Sequence, residues 1–283
     1  TRVNSDGYIE EVPWNIFTYS EQFDNAAWSK QQSTINANAT TSPNGTTSAD
    51  KLVESTTSSR HTTYQQLNGS YNNTFSCSVF VKKAERKYIS LSLLTFATTS
   101  HFRAIFDVES GIVTDSYADT ANGATISTSI SDFGDGWYRC AIIGILSDTG
   151  SGNFFLQISL SDRSTYSGGT LDSIYPSYTG NGISGIYIYG AQLVKGTSPK
   201  PYIKTTDRLD IPRLDYSGGA TNPTLLLEPQ RTNLVTYSQD FTSTPYTRYA
   251  GSTAAFHPTI LSPSGNLDAN LISMPNYNQA VFI

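Results

Sequence analysis

The sequence is poor in charge. Asp, Glu, Lys and Arg make up only 14% of its 283 residues, and the formal net charge is −5. An average protein has about a quarter of its residues charged. The densest cationic positions are only the two pairs Lys82-Lys83 and Arg86-Lys87. A surface that follows a phosphate backbone needs clustered basic residues, so we expect no nucleic-acid partner.

Long apolar stretches are also missing. No run approaches the roughly 18 apolar residues that a membrane-spanning helix requires, so we expect no membrane insertion. Cysteine is rare, with only Cys77 and Cys140, each inside a strand-like run. Two free buried thiols are the simpler interpretation, since cysteine packs as a small apolar residue. A disulfide between neighbouring strands is the alternative, because the sequence does not reveal the required geometry.

Catalytic signatures are absent from the sequence. The three histidines, His61, His101 and His257, lie in unrelated stretches without metal-binding spacing. No G-x-S-x-G motif occurs. A carboxylate pair for glycoside hydrolysis is defined by space rather than by sequence, so it stays open as the one catalytic alternative. We expect a non-enzymatic protein.

Alternation of apolar and polar residues dominates what is present. Phe75, Cys77 and Val79 share one face of a run that starts at residue 74, and similar runs follow up to residue 160. Residues 185–194 are apolar or aromatic on both faces, which is typical of a central strand. Eight or more such strands separated by turns predict an all-β, antiparallel two-sheet sandwich, and a jelly roll fits the count.

One nine-residue sequence motif, which we call the box, occurs twice. Residues 15–23 read N-I-F-T-Y-S-E-Q-F, and 218 residues later residues 233–241 read N-L-V-T-Y-S-Q-D-F. Glu10 and Glu228 keep the same offset, so a hairpin-like segment precedes each box. We expect Tyr19 and Tyr237 of the two boxes to pack at a seam.

The predicted organisation is a leading segment (1–14), a sandwich (15–205), a Pro/Gly-containing linker (206–232) and an incomplete second sandwich (233–283), which supplies only its opening strands.

A long loop rich in Gly, Ser and Tyr occupies residues 161–184. Such loops in compact domains are often functional. Tyrosine rings can cover the apolar face of a sugar while carboxylates and guanidinium groups meet its hydroxyls. The candidate glycan-binding residues are Tyr166, Tyr175, Tyr178, Asp162, Arg163 and Asp172. The alternative is that these tyrosines pack the loop onto the sandwich or onto a neighbouring chain. For Trp28 and Trp137 we expect a core or seam role.

Several motifs resemble a domain that recurs in phage tail, fibre and head-appendage proteins. They are T-Y-S-E-Q-F-D-N-A-A-W-S-K (18–30), P-N-G-T-T-S-A-D-K-L (43–52), F-S-C-S-V-F-V-K (75–82), D-G-W-Y-R-C (135–140), G-I-Y-I-Y-G-A-Q-L (185–193) and P-R-L-D-Y-S-G-G (212–219). The last one, with the L-L-L-E-P-Q-R-T-N-L that follows (225–234), looks like the joint between tandem copies. The resemblance covers nearly the whole chain, and the family is similar to carbohydrate-binding modules and concanavalin-like sandwiches.

This resemblance implies a jelly-roll fold, a virion location and a host-surface glycan as ligand. It also implies other virion proteins as partners and a homo-oligomer, a trimer by analogy with such fibres. It brings no catalytic residue and no cofactor, although some jelly rolls hold a structural calcium ion, for which the sequence names no ligand. Two alternatives stay open: a purely architectural virion subunit without a ligand, and a carbohydrate-binding module of a secreted bacterial enzyme.

Overall fold

The structure is a computed structural model of the chain. It describes residues 2–3, 9–10, 14–68, 72–95, 101–118, 126–147, 153–166, 176–207, 214–215, 224–225, 240–242, 246–249, 253–256, 260, 269–273 and 280–282. The chain divides into two compact units. One unit is Pro13–Ile211, and the other combines Thr1–Val12 with Pro212–Ile283.

The described residues form strands and turns. In chain order the strands are β1 (Arg2–Val3), β2 (Ile9–Glu10), β3 (Ser29–Gln31), β4 (Ser33–Thr41), β5 (Thr47–Glu54), β6 (Ser58–Ser59), β7 (Thr62–Asn68), β8 (Asn72–Lys83), β9 (Tyr88–Thr95), β10 (His101–Asp107), β11 (Ile112–Ala118), β12 (Ile126–Asp132), β13 (Trp137–Ser147), β14 (Asn153–Ser161), β15 (Tyr178–Thr179), β16 (Gly185–Lys195), β17 (Leu214–Asp215), β18 (Thr224–Leu225), β19 (Thr247–Tyr249), β20 (Thr253–Phe256), β21 (Asn270–Ser273) and β22 (Ala280–Phe282). No helix among the described residues is long and apolar enough to cross a membrane.

The larger unit is an antiparallel β-sandwich. Its first sheet has the strand order β11-β10-β9-β14-β7-β3, and its second sheet has the order β12-β13-β8-β16-β5-β4. Within these sheets, β7-β14-β9-β10 and β5-β16-β8-β13 follow the strand order of a jelly roll, with the chain crossing repeatedly between the sheets. The predicted all-β antiparallel sandwich is therefore confirmed.

The core lies between the two sheets and follows the alternation in the sequence. Inward-facing residues such as Val79 of β8 and Leu91 of β9 are fully buried. Trp28 is buried as expected, with its ring centroid 5.6 Å from that of Phe17 and 4.8 Å from that of Phe23. Strand β16 lies between β8 and β5, which confirms the central position predicted from its two apolar faces.

A second aromatic cluster covers part of the outer face of the second sheet. Trp137, Phe80 and Tyr189 are buried there, and Tyr202 of the chain leaving β16 packs against them. The register of β16 against β8 shifts after Tyr189. Gly190 lies at this bulge with φ +58°, and a Cβ atom there would come within 3.0 Å of the Tyr202 ring. Glycine therefore allows the returning segment to close over the sheet.

The two cysteines lie on adjacent strands, β8 and β13, and both are fully buried. Cys77 is opposite Ile142, and Cys140 is opposite Val79. Both thiols are free, so the simpler interpretation is confirmed. Burial raises the pKa of both thiols well above its ordinary value, which keeps them in the unreactive protonated form.

We expect neither Cys77 nor Cys140 to react with a thiol reagent such as Ellman's reagent while the chain is folded. In denaturant the same titration should give two thiols per chain, because unfolding exposes both. Rapid reaction without denaturant would contradict the burial, and fewer than two thiols after unfolding would restore the disulfide alternative.

Asn15 begins the first box and joins it to the last strand of the sandwich. Its Nδ2 donates to the carbonyl oxygens of Ala191 and Ile203, at 2.8 and 3.0 Å. Its Oδ1 accepts from the backbone N–H groups of Leu193 and Phe17, at 3.0 and 3.2 Å. The side chain is fully buried, so these four hydrogen bonds satisfy all of its polar groups.

Ser20 lies in the same box and binds the chain that leaves β16. Its Oγ accepts from the N–H of Thr205 at 2.9 Å and shares a hydrogen bond with the Tyr202 hydroxyl at 2.8 Å. The N–H of Tyr19 donates to the carbonyl of Thr206 at 3.0 Å. We call the hydrogen bonds that Asn15, Tyr19 and Ser20 make to β16 and to residues 202–206 the clasp. The clasp joins the two ends of the sandwich.

Tyr19 also packs its half-buried ring against the core, while its role at a seam stays a prediction. Tyr237 lies outside the described residues. The described residues of the smaller unit form four two-stranded sheets: β1-β2, β17-β18, β19-β22 and β20-β21. The domain boundaries proposed from the sequence, including an incomplete sandwich at 233–283, stay a prediction.

Candidate functional site

The structure describes four of the six candidate glycan-binding residues, namely Asp162, Arg163, Tyr166 and Tyr178. Tyr175 and Asp172 lie outside the described residues. Asp162 is exposed and Arg163 is half-buried. Their side chains pair with each other, because Arg163 Nε donates to Asp162 Oδ1 at 2.9 Å and Nη2 donates to the carbonyl of Ser177 at 2.8 Å. These contacts are local to the loop.

Tyr178 is buried rather than presented to solvent. Its hydroxyl donates to Glu54 Oε2 at 2.7 Å. The Arg86 guanidinium lies 5.1 Å from the centre of its ring, and the His61 ring meets it edge-on at 4.7 Å. Burial, together with the hydrogen bond to Glu54, raises the pKa of the Tyr178 hydroxyl far above its usual value. This position favours the packing alternative for Tyr178.

Glu54 is the acceptor for a group of hydrogen bonds from Arg86, Tyr178 and Asn181, and we call these four residues the anchor. Its side chain is 0% exposed and accepts two hydrogen bonds from Arg86, at 2.9 and 2.8 Å. It also accepts from the backbone N–H of Asn181 at 2.8 Å. Burial by itself raises the pKa of Glu54, but the hydrogen bonds from Arg86, Tyr178 and Asn181 outweigh it, so the pKa lies below its usual value. The anchor fixes the end of the tyrosine-containing loop to the sandwich.

Tyr166 lies against the outer face of the first sheet. Its hydroxyl shares a hydrogen bond with Ser90 Oγ at 2.9 Å, and its backbone N–H donates to Asp115 Oδ2 at 2.8 Å. The Arg103 guanidinium is 5.3 Å from the centre of its ring. Of the predicted site residues described, Tyr166 is the one that the fold brings to a sheet surface.

A polar and aromatic row crosses this same face. Tyr117, Arg103, Ser92, Gln157 and Tyr64 are directly opposite one another on β11, β10, β9, β14 and β7. Neighbouring strands are about 4.8 Å apart, so five strands span about 19 Å. We call these five residues the cross-strand row. The order of the strands along the chain does not predict that these five residues are neighbours.

Two members of the cross-strand row hold buried polar atoms that are not satisfied. Ser92 is 2% exposed and Gln157 is 9% exposed. Within the part of the chain that the structure describes, Ser92 Oγ and Gln157 Oε1 have no hydrogen-bond partner. Such an atom costs about 1–3 kcal/mol and calls for a bound water, ion or ligand group.

Aromatic rings flank these polar atoms. Tyr117 is 41% exposed, and the Arg103 guanidinium lies 4.9 Å from the centre of its ring. Tyr64 meets Phe155 edge-on at 5.9 Å on the other side of the row. A carboxamide and a hydroxyl can each donate and accept, as sugar hydroxyls do. The row itself contains no carboxylate, and its amide and hydroxyl groups can bind a polar ligand.

A polar cavity of about 270 Å³ lies elsewhere on the sandwich. It is lined by Glu21, Gln22, Asp24, Asn25, Asn38 and Asp50. Asp50 accepts backbone N–H groups from Phe23 and Asn38, at 2.8 and 2.9 Å, and burial raises its pKa. Glu21 pairs with Lys204 at 2.6 Å. The described residues include no group of three or more His, Cys, Asp or Glu that could hold a metal ion.

No protein-family model and no curated protein matches the sequence. Among solved structures, the chain is similar to the enzymatically active domain of a bacteriophage CBA120 tailspike protein, at 12% identity and a TM-score of 0.38. That likeness covers 65% of this chain and 21% of the tailspike chain. It is also similar to a carbohydrate-binding module studied for mannan recognition, at 11% identity and a TM-score of 0.31, over 67% of this chain and 99% of the module.

Proposed function

We propose that this chain is a non-enzymatic segment of a phage fibre or appendage, and that its sandwich binds a host-surface glycan on the outer face of the first sheet. The cross-strand row is the observation that carries the proposal. It places two buried polar atoms, Ser92 Oγ and Gln157 Oε1, between the flanking rings of Tyr117 and Tyr64, and neither atom has a hydrogen-bond partner among the described residues. The virion assignment is supported by the motifs that resemble phage appendage domains.

The chemistry of the row suits a sugar. The exposed ring of Tyr117 offers an apolar face to the C–H side of a pyranose. The Gln157 carboxamide and the Ser92 hydroxyl would exchange hydrogen bonds with sugar hydroxyls, which removes the cost of leaving them unsatisfied. A single shallow site of this kind binds weakly, but several copies in a homo-oligomer raise the avidity. Other virion proteins would hold those copies in place.

The purely architectural role is the second candidate, and Tyr178 favours it. This tyrosine is buried against Glu54 and Arg86, so one of the loop's candidate rings serves packing. An architectural subunit would use Tyr117 and Tyr166 as contacts to another chain instead of a sugar. The two candidates therefore differ in what the outer face of the first sheet binds.

A glycan array probed with the full chain, displayed multivalently, separates the two candidates. We expect binding to a subset of host-derived glycans, and Tyr117→Ala should weaken it at least tenfold because the stacking ring is lost. The matched control is Phe133→Ala, another exposed aromatic (50%), which should leave binding unchanged. Melting curves of both variants would verify that the fold is intact. Absence of binding to every glycan would support the architectural role.

A further inference from the structure

Each box in the sequence is preceded by a short hairpin. In β1-β2, Arg2 pairs with Glu10 and Val3 pairs with Ile9. In β17-β18, Leu214 pairs with Leu225. In the sequence, an arginine followed by an aliphatic residue occurs at positions 2–3 and again at positions 213–214. We call β1-β2 and β17-β18 the joint hairpins.

The first joint hairpin belongs to the smaller unit. Thr1–Val12 clusters with Pro212–Ile283, whereas the sandwich is a compact unit of its own. Within the smaller unit, Cα atoms of β1 lie within 8 Å of those of β17. The strands of each joint hairpin are only two residues long. An isolated two-stranded hairpin is at best marginally stable in water, so each one needs a packing partner.

The two ends of the sandwich lie close together, which allows the residues before it and after it to belong to one unit. The clasp hydrogen-bonds Tyr19 to Thr206, so the sandwich begins and ends at one place. A domain whose two ends meet can be inserted into another chain segment without disturbing it. The chain therefore leaves the smaller unit after residue 12, forms the sandwich and re-enters the smaller unit at residue 212.

We infer that the joint hairpin is the contact surface between successive repeats, and that its partner is the joint hairpin of the adjacent repeat. In this arrangement the sandwich is an insertion between two hairpins that pack on each other. The surface recognises another copy of its own backbone motif, so the same contact can recur in every repeat of a tandem array.

Hydrogen exchange measured by mass spectrometry tests this contact in the full chain. The comparison is between the full chain and a variant that lacks residues 1–12. We expect exchange to accelerate at least tenfold in peptides covering 214–225, because β17 loses its partner. Exchange in peptides covering β16 and the melting temperature of the sandwich should stay unchanged, because the deleted residues belong to the other unit.

Exchange at 214–225 that does not change on deletion would overturn the inference. Faster exchange in β16 together with a lower melting temperature of the sandwich would also overturn it, since the hairpin would then belong to the sandwich. The readout does not depend on glycan binding, so it is independent of the proposed function.

Discussion

Asn15→Ala should lower the free energy of unfolding of the sandwich by about 4 kcal/mol, since each buried group left without a partner costs about 1–3 kcal/mol. The substitution removes four hydrogen bonds at once. It leaves the N–H groups of Phe17 and Leu193, and the carbonyls of Ala191 and Ile203, without the side chain that they bind. Urea denaturation followed by tryptophan fluorescence measures the loss, because Trp28 is packed in the core.

The matched control is Asn36→Ala. Asn36 is an exposed asparagine on the edge strand β4, so its truncation should change stability by less than about 0.5 kcal/mol. Asn15→Asp should destabilise at least as much as Asn15→Ala, because it places a negative charge against two carbonyl oxygens in a buried site. A stable Asn15→Ala variant would show that the clasp does not hold the sandwich closed.

Glu54→Ala should cost about 3–5 kcal/mol, the range for removing one partner of a buried ion pair. The Glu54 side chain is fully buried and accepts from Arg86, Tyr178 and the backbone of Asn181. The control is Glu85→Ala, because Glu85 pairs with Lys51 at 2.7 Å but is 50% exposed. An exposed pair contributes about 0–1 kcal/mol, so equal losses for the two variants would contradict the anchor.

The same anchor should shape the response to acid. The folded-state pKa of Glu54 lies below its ordinary value of 4.5, so the unfolded chain binds more protons as the pH falls. Its contribution is present above that value and is lost as the pH drops through the folded-state pKa. Glu54→Gln should therefore flatten the fall in stability below about pH 4.5. If the free energy of unfolding of the variant fell with pH in the same way as that of the unchanged chain, the folded-state pKa of Glu54 would not be lowered.

The fold followed from local patterns. Alternation in runs such as the one containing Cys77 and Val79 marks which residues face inward, and the strand-to-strand turns are marked by Gly, Pro and Asn. Two apolar faces placed β16 in the middle of a sheet. The bulge at Gly190 was not predicted from the sequence, because the Tyr202 ring that a Cβ atom there would crowd belongs to a segment that follows the strand.

The candidate site was predicted less well. The tyrosines in residues 161–184 indicated that the loop forms a site, and one of them, Tyr166, lies against the outer face of the first sheet. Arg103, Ser92 and Gln157 were not identified as site residues. They lie on three strands and become neighbours only through long-range strand register. In the sequence, each of these three residues is an ordinary polar residue of an alternating strand. The local pattern therefore does not mark any of them as a site residue.

The clasp also determines how the sandwich responds to mechanical load. A pulling force applied through the flanking chain enters near residue 15 and leaves near residue 206, where the two ends are hydrogen-bonded to each other. The tension is then carried by the clasp, which joins residues 15–20 to β16 and to residues 202–206. Rupture should begin with the hydrogen bonds of Asn15, Tyr19 and Ser20.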